Sequence, residues 1–244
     1  MVGGCGQQTG EPMTRTNRAS TGATMRIAIY TTYCGSTGNR TIVQQTLNRD
    51  FPHYFFSNNP QILRLAQELG WIPILLSLEV SEDPVVSALQ AKIAKAVPHL
   101  FPPLKSHDFL FYIDDKIPVH AARLPGYIRA LVDSNGAMAV RPHAFLSGNI
   151  LYEFGQAMLQ PRYKTQWSKT VDYITQELKE GFALECQLYW TSAILRNMNH
   201  PDTERINSLW YEHINRCGTE CQISFNFVAQ RFTSIRLLNP DLAG

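Results

Sequence analysis

The sequence is poor in cysteine. Five in 244 residues is an odd and sparse set, which argues against a disulfide scaffold and for reduced thiols in a cytosolic protein. It also lacks an excess of either charge. With 22 basic and 20 acidic side chains the net charge is +2, so no global field marks a nucleic-acid binder. No apolar run approaches the roughly 20 residues that span a bilayer. The expectation is a cytoplasmic protein with no transmembrane segment, a peripheral place at a membrane being left open. Residues 1–24 hold almost no apolar side chains of any size, and a secretory signal needs a continuous apolar stretch. They read as a disordered leader ahead of a single domain over residues 25–244. The nucleophile elbow GxSxG, the P-loop and the GxGxxG fingerprint are all missing, as is any repeat of fixed period. The sequon Asn39-Arg40-Thr41 means little without a secretory signal.

What is present is enough apolar material for a sizeable core. Hydrophobic residues make up 44%, aromatics 11% and charged residues 17%, which excludes a largely disordered chain. From Arg26 the run RIAIYTTY is β-branched and aromatic and ends in the loop Cys34-Gly35-Ser36-Thr37-Gly38. HYFFS, from His53, is a second strand. Asn59 then caps a helix with Pro60 at its first position and Ile62, Leu65, Ala66 and Leu69 as its apolar stripe; Gly70 stops it. IPILLSL is a third strand, which Pro73 confines to an edge or to its own start. Asp83-Pro84 opens a helix to about Val97, with Val86, Leu89, Ile93 and Ala96 inward. DFLFYI is an uninterrupted apolar strand of the kind found in the middle of a parallel sheet. The second half alternates less regularly. Helices are expected over residues 125–133, 149–159, 168–180 (Val171, Ile174 and Leu178 inward), 202–216 and 222–231, with strands AMAV and LYWTSAILR. The class is α/β with a mainly parallel sheet flanked by helices.

Open sheets of this kind bind ligands outside the carboxyl ends of their strands. The polar strand ends are Tyr33 onward, Ser57-Asn58-Asn59 and Asp114-Asp115-Lys116. Two adjacent carboxylates after a buried strand repel unless a positive group is near. A divalent cation shared with a nucleotide diphosphate meets that need, and a capped loop with one solvated Asp is the bland alternative. Lys92, Lys95 and His99 lie at helical spacing and can hold a diphosphate or simply be solvated. His213, Cys217 and Cys221 fall at successive i, i+4 positions, but Gly218 breaks the helix between them and no fourth zinc ligand is evident, so buried thiols are the expected state. Phe109, Phe111 and Tyr112 read as core, as does one of the pair Trp210-Tyr211.

Taken in order, YTTYCG, FFSNN, AKIAKAVPHLF, YIDDKI, NILYEFGQAM, LYWTSAILRNMNHP and WYEHINRCGTECQISF resemble a domain-of-unknown-function family of glycosyltransferase-like proteins. It includes bacterial capsule-type proteins and plant members linked to mucilage synthesis and alkaline ceramidase activity. The resemblance implies a GT-A-type, Rossmann-like fold and transfer of a sugar from a nucleotide-diphosphate sugar to a glycan or lipid-linked acceptor, assisted by Mn2+ or Mg2+. It implies that Tyr33 and Ser57, Asn58 and Asn59 border the donor, that Lys95 and His99 lie by its diphosphate, and that Asp114 is the metal ligand with Asp115 beside it. Glu153, Arg196 and Gln222 match further family positions, Arg196 on the donor side. Two departures stand out. Lys116 occupies the third position of what would be a DXD motif, and Cys221 replaces an acid, with Glu220 one place earlier. Glu153 and Glu220 are the base candidates. A ceramide-type amide hydrolase and a non-catalytic sugar binder are the competing readings.

Overall fold

The computed structural model describes residues 25–36, 50–117 and 121–238. The expected leader, Gly38 and the Asn39 sequon lie outside these residues. Strands β1 (Ile27–Thr32), β2 (His53–Ser57), β3 (Ile72–Leu75), β4 (Phe109–Ile113), β5 (Met138–Pro142), β6 (Tyr189–Asn197) and β7 (Ile235–Leu237) form one sheet in the order β3-β2-β1-β4-β6-β5-β7. Every pairing is parallel except those of β6, which runs opposite to β4 and β5. The mainly parallel α/β class is therefore as expected, with one inverted strand. The central strand β4 is parallel to one neighbour only.

The helices are α1 (Pro60–Glu68), α2 (Pro84–Ala96), α3 (Pro102–Lys105), α4 (Leu124–Asp133), α5 (Ile150–Ala157), α6 (Pro161–Lys164), α7 (Trp167–Lys179), α8 (Thr203–Cys217) and α9 (Cys221–Ala229). Side chains alternate across each strand, so β1 and β4 divide their apolar residues between two layers. Ile27, Ile29, Phe109, Phe111 and Ile113 pack with α1 and α4 through Ile62, Leu63, Leu124 and Ile128. Ala28, Tyr30, Leu110 and Tyr112 pack with α2, α8 and α9 through Ala94, Trp210, Ile214 and Phe225. Both faces are covered, which is why these strands read as unbroken apolar runs.

Local signals held. The Asn59 side chain accepts from Gln61 N at 2.9 Å and Asp83 from Val85 N at 2.7 Å, capping α1 and α2. Pro73 lies on the edge strand β3, which is shorter than IPILLSL. Helix faces were less well read. Leu65, Val86 and Leu178 are exposed, and Leu63, Ser87 and Glu177 are buried in their place. On α7 the inward positions are set by a polar cluster. Glu177 is fully buried between Arg231 at 2.5 Å and Arg216 at 3.1 Å. Its helix begins at Trp167 with no side-chain cap, so Ser168 lies inside the first turn.

Candidate functional site

The strand order reverses between β1 and β4, which sends β2 and β3 to one side and β6, β5 and β7 to the other. Connections leave a parallel sheet in opposite directions at such a point, and a crevice opens between them. Here it is a cleft of about 470 Å3. Its lining includes the loop after β1, one face of α2, the loop after β4, the start of β6, α5, α6 and the start of α9.

The β1 loop is pinned by two asparagines. Gly35 N donates to Asn58 Oδ1 (3.0 Å) and Asn59 Nδ2 donates to Gly35 O (2.9 Å). Asn58 also donates to Glu79 O and Gln90 Oε1. Gly35 has φ +114°, a region L side chains rarely enter, and a Cβ there would sit 2.8 Å from Ser87 Oγ. Gly35→Ala is expected to cost roughly 1–3 kcal/mol and to lower the urea midpoint accordingly. An unchanged midpoint would show that the loop is not held in this shape.

After β4, Asp114 Oδ1 accepts from Tyr112 OH at 2.7 Å and from Lys95 Nζ at 3.2 Å. Lys95 is buried, with its ammonium 4.8 Å from the Tyr112 ring centroid, while the Asp114 side chain is 33% exposed at the cleft. Burial works against the Asp114 charge, but Lys95, Lys92 and the Tyr112 hydroxyl more than offset it and hold the carboxyl below its usual range. Burial, reinforced by Asp114, keeps the Tyr112 hydroxyl protonated as a donor. Lys92, one helical turn before Lys95 on α2, also lines the cleft. Among the described residues it has no hydrogen-bond or ion-pair partner.

The facing wall carries the acids. Gln222 Nε2, on α9, donates to Glu153 Oε1 on α5 at 2.6 Å. Glu220 caps α9 by accepting from Gln222 N at 3.0 Å. Burial and the nearby Glu220 push the Glu153 carboxyl up to about 7, against the Gln222 bond that lowers it. Sequence reasoning missed His143, which follows β5. Its Nδ1 accepts from Phe145 N (3.2 Å) and Leu146 N (3.0 Å), so the neutral ring carries its proton on Nε2. That nitrogen lies 2.9 Å from Glu153 Oε2. Burial holds the His143 pKa below its usual value, with Glu220 acting the other way. The sole sequence hint was a polar residue just after a strand end. Arg162, Tyr163 and Trp190, also unforeseen, line the same cleft.

Of the residues singled out in the sequence, Tyr33, Lys92, Lys95, Asp114, Asp115, Glu153, Glu220 and Gln222 line this one cleft. Ser57, Asn58, Asn59, His99 and Arg196 do not. Ser57 Oγ accepts from Asn59 N, and Asn59 borders a separate depression with Arg64 and Glu82. His99 lies beside Asn207 and Ser208 of α8. Arg196 is fully buried beneath the cleft floor, donating to Asn207 Oδ1, Tyr30 OH and Lys95 O, each at 2.8 Å. His213 pairs with Tyr173 OH at 2.7 Å, and Cys217 and Cys221 are buried thiols. Among the described residues no three His, Cys, Asp or Glu side chains come together as metal ligands. At the β4 end Asp114 already neutralises Lys95, and the next acid of a DXD pattern is the exposed Lys116. This donor set does not fit a divalent cation.

Mouse xyloside xylosyltransferase 1 superposes on 88% of this chain and 86% of its own, with a TM-score of 0.51 at 11% identity. The fold is glycosyltransferase-like. The mannosyltransferase Ktr4p of S. cerevisiae aligns over 88% of this chain and 68% of its own, with a TM-score of 0.43 at 7% identity. Its GDP complex gives 0.45 at 8%. At such identities the likeness is one of fold. No protein-family model matches the sequence, and no curated protein does, so the family suggested by motif order is supported to the level of its fold. Among the described residues no helix is long and apolar enough to cross a membrane.

Proposed function

We propose that the chain is a glycosyltransferase that moves a sugar from a nucleoside-diphosphate donor to a hydroxyl acceptor. One observation carries this reading: cations on α2 and a carboxylate pushed up to about 7 face each other across a single cleft at the switch point of the sheet. Transfer needs both. Negative charge grows on the departing diphosphate, and the acceptor hydroxyl must lose a proton. In this reading the acceptor oxygen bonds to the sugar's anomeric carbon as the bond to the diphosphate breaks. Glu153 takes the hydroxyl proton, with Gln222 holding its Oε1 and His143 Nε2 lying 2.9 Å from its Oε2. Lys92 faces the leaving group, with Lys95 held behind it by Asp114. Trp190 lines the same cleft with its ring packed by Arg141 and His143, and a glycan or lipid-linked acceptor would lie on that side.

For the amide-hydrolase alternative, no hydroxyl or thiol lining the cleft is hydrogen-bonded to a histidine among the described residues. The Cys34 thiol lines the cleft, but burial pushes its pKa up to about 11, and the thiolate is the reactive form. A panel of UDP- and GDP-sugars with sugar and lipid-linked hydroxyl acceptors tests the proposal. Release of nucleoside diphosphate together with a glycosylated product is expected. Hydrolysis of a ceramide with no nucleotide present would overturn it.

A further inference from the structure

We infer that the cleft binds the donor's diphosphate without a divalent cation, the Lys92 ammonium standing where a metal would stand. The inference rests on the donor reading above and specifies how the charge at that site is met. In a metal-dependent site, carboxylates gather around an ion that also ligates the phosphates. Here the acids gather around a lysine. Lys92 projects from α2 into the cleft, and the Asp114 carboxylate of one wall and the Glu220 carboxylate of the other both act on its charge. Burial alone would favour a neutral amine. Instead the Asp114 and Glu220 carboxylates act to keep it protonated.

One oxygen of the neighbouring carboxylate is already engaged. Asp114 Oδ1 takes both Lys95 Nζ and Tyr112 OH, so that ion pair is closed. A dication placed against it would also meet the charges of Lys92 and Lys95. A diphosphate meets the opposite situation. Lys92 has no hydrogen-bond or ion-pair partner among the described residues, and its three ammonium protons are available to phosphate oxygens. Lys116 and Arg162, from the β4 loop and α6, line the same space and add positive charge at its edges. The other acids of the lining are Asp115 beside Asp114, Glu82 near the start of α2, and Glu153 and Glu220 on the acceptor wall.

The test is titration calorimetry of the full chain with UDP, GDP, ADP and CDP, in EDTA and again in Mn2+. Wild type is expected to bind at least one of them in EDTA, and Mn2+ to change that affinity by less than about threefold. Lys92→Gln is expected to weaken binding by about 10–100-fold, the worth of one charge-assisted contact, and Lys92→Arg to keep most of it. The thermal midpoint of each variant, measured without ligand, separates lost binding from lost folding. Binding that requires Mn2+ would overturn the inference and leave the transferase reading standing. So would a Lys92→Gln protein that is folded and binds in EDTA as wild type does. If none of the four binds under either condition, the donor reading falls, and this inference with it.

Discussion

Glu153→Gln should lower turnover by about 10^2–10^4-fold, the usual contribution of a positioned general base, while nucleotide affinity stays within about twofold. Glutamine keeps the shape and can still accept from Gln222, but it cannot take a proton. The wild-type rate should rise with pH and level off above about 7, because Glu153 must be ionised to act and its pKa lies there. The same shift has a signature in stability. The carboxyl is raised from 4.5 to about 7 on folding, so between these values the folded chain holds a proton that the unfolded chain has released. Stability therefore declines as pH rises through that window, and the burial cost of the charge is complete above it. Glu153→Gln lacks this titration, and its midpoint should gain on wild type across the same range. The pH–rate profile and the two melting curves check this together. Near-wild-type turnover of the variant, or an acid limb far from 7, would remove Glu153 from the role.

Arg196→Met should cost about 3–5 kcal/mol of folding stability. Arg196 is fully buried, and burial pulls its pKa down, against the opposing influence of Tyr30 and Tyr112. It satisfies three groups at once: Asn207 Oδ1, Tyr30 OH and Lys95 O. Methionine fills part of the volume but strands Asn207 Oδ1 and leaves Tyr30 OH and Lys95 O only their long mutual contact at 3.3 Å, and each buried unsatisfied group costs roughly 1–3 kcal/mol without being additive. The urea midpoint reads the loss. Motif order suggested a donor-binding role for this residue, and the two roles separate cleanly. A buttress variant loses stability, and its folded fraction binds nucleotide within a few-fold of wild type. A ligand-binding arginine would instead lose affinity at unchanged stability.

Much of this site was legible because its signals are local. Asn59 and Asp83 announce helix starts through bonds to residues two positions on. Tyr33 and Asp114 follow apolar runs, and in an open parallel sheet the carboxyl ends of the strands face the ligand. Lys92 and Lys95 share a helix face by spacing alone. Glu153 and Gln222 came only from motif order. His143 was not legible, because its meaning lies in a loop that turns its Nε2 onto Glu153. Ser57, Asn58, Asn59 and Arg196 mark the opposite error. They are polar residues near strand ends or in strands, and in the fold they are absorbed by internal hydrogen bonds.

The sequence alone determined most of the succession of strands and helices, though not β7 or the short α3 and α6, together with the caps of α1 and α2 and which polar residues end the strands, because each depends on neighbours a few positions away. Only the tertiary structure decided that β6 enters the sheet inverted, that Lys95 is taken by Asp114 while Lys92 is not, and that Glu153 meets a glutamine 69 residues along the chain. Those outcomes follow from how both faces of the sheet are packed, and packing joins residues that local pattern cannot relate.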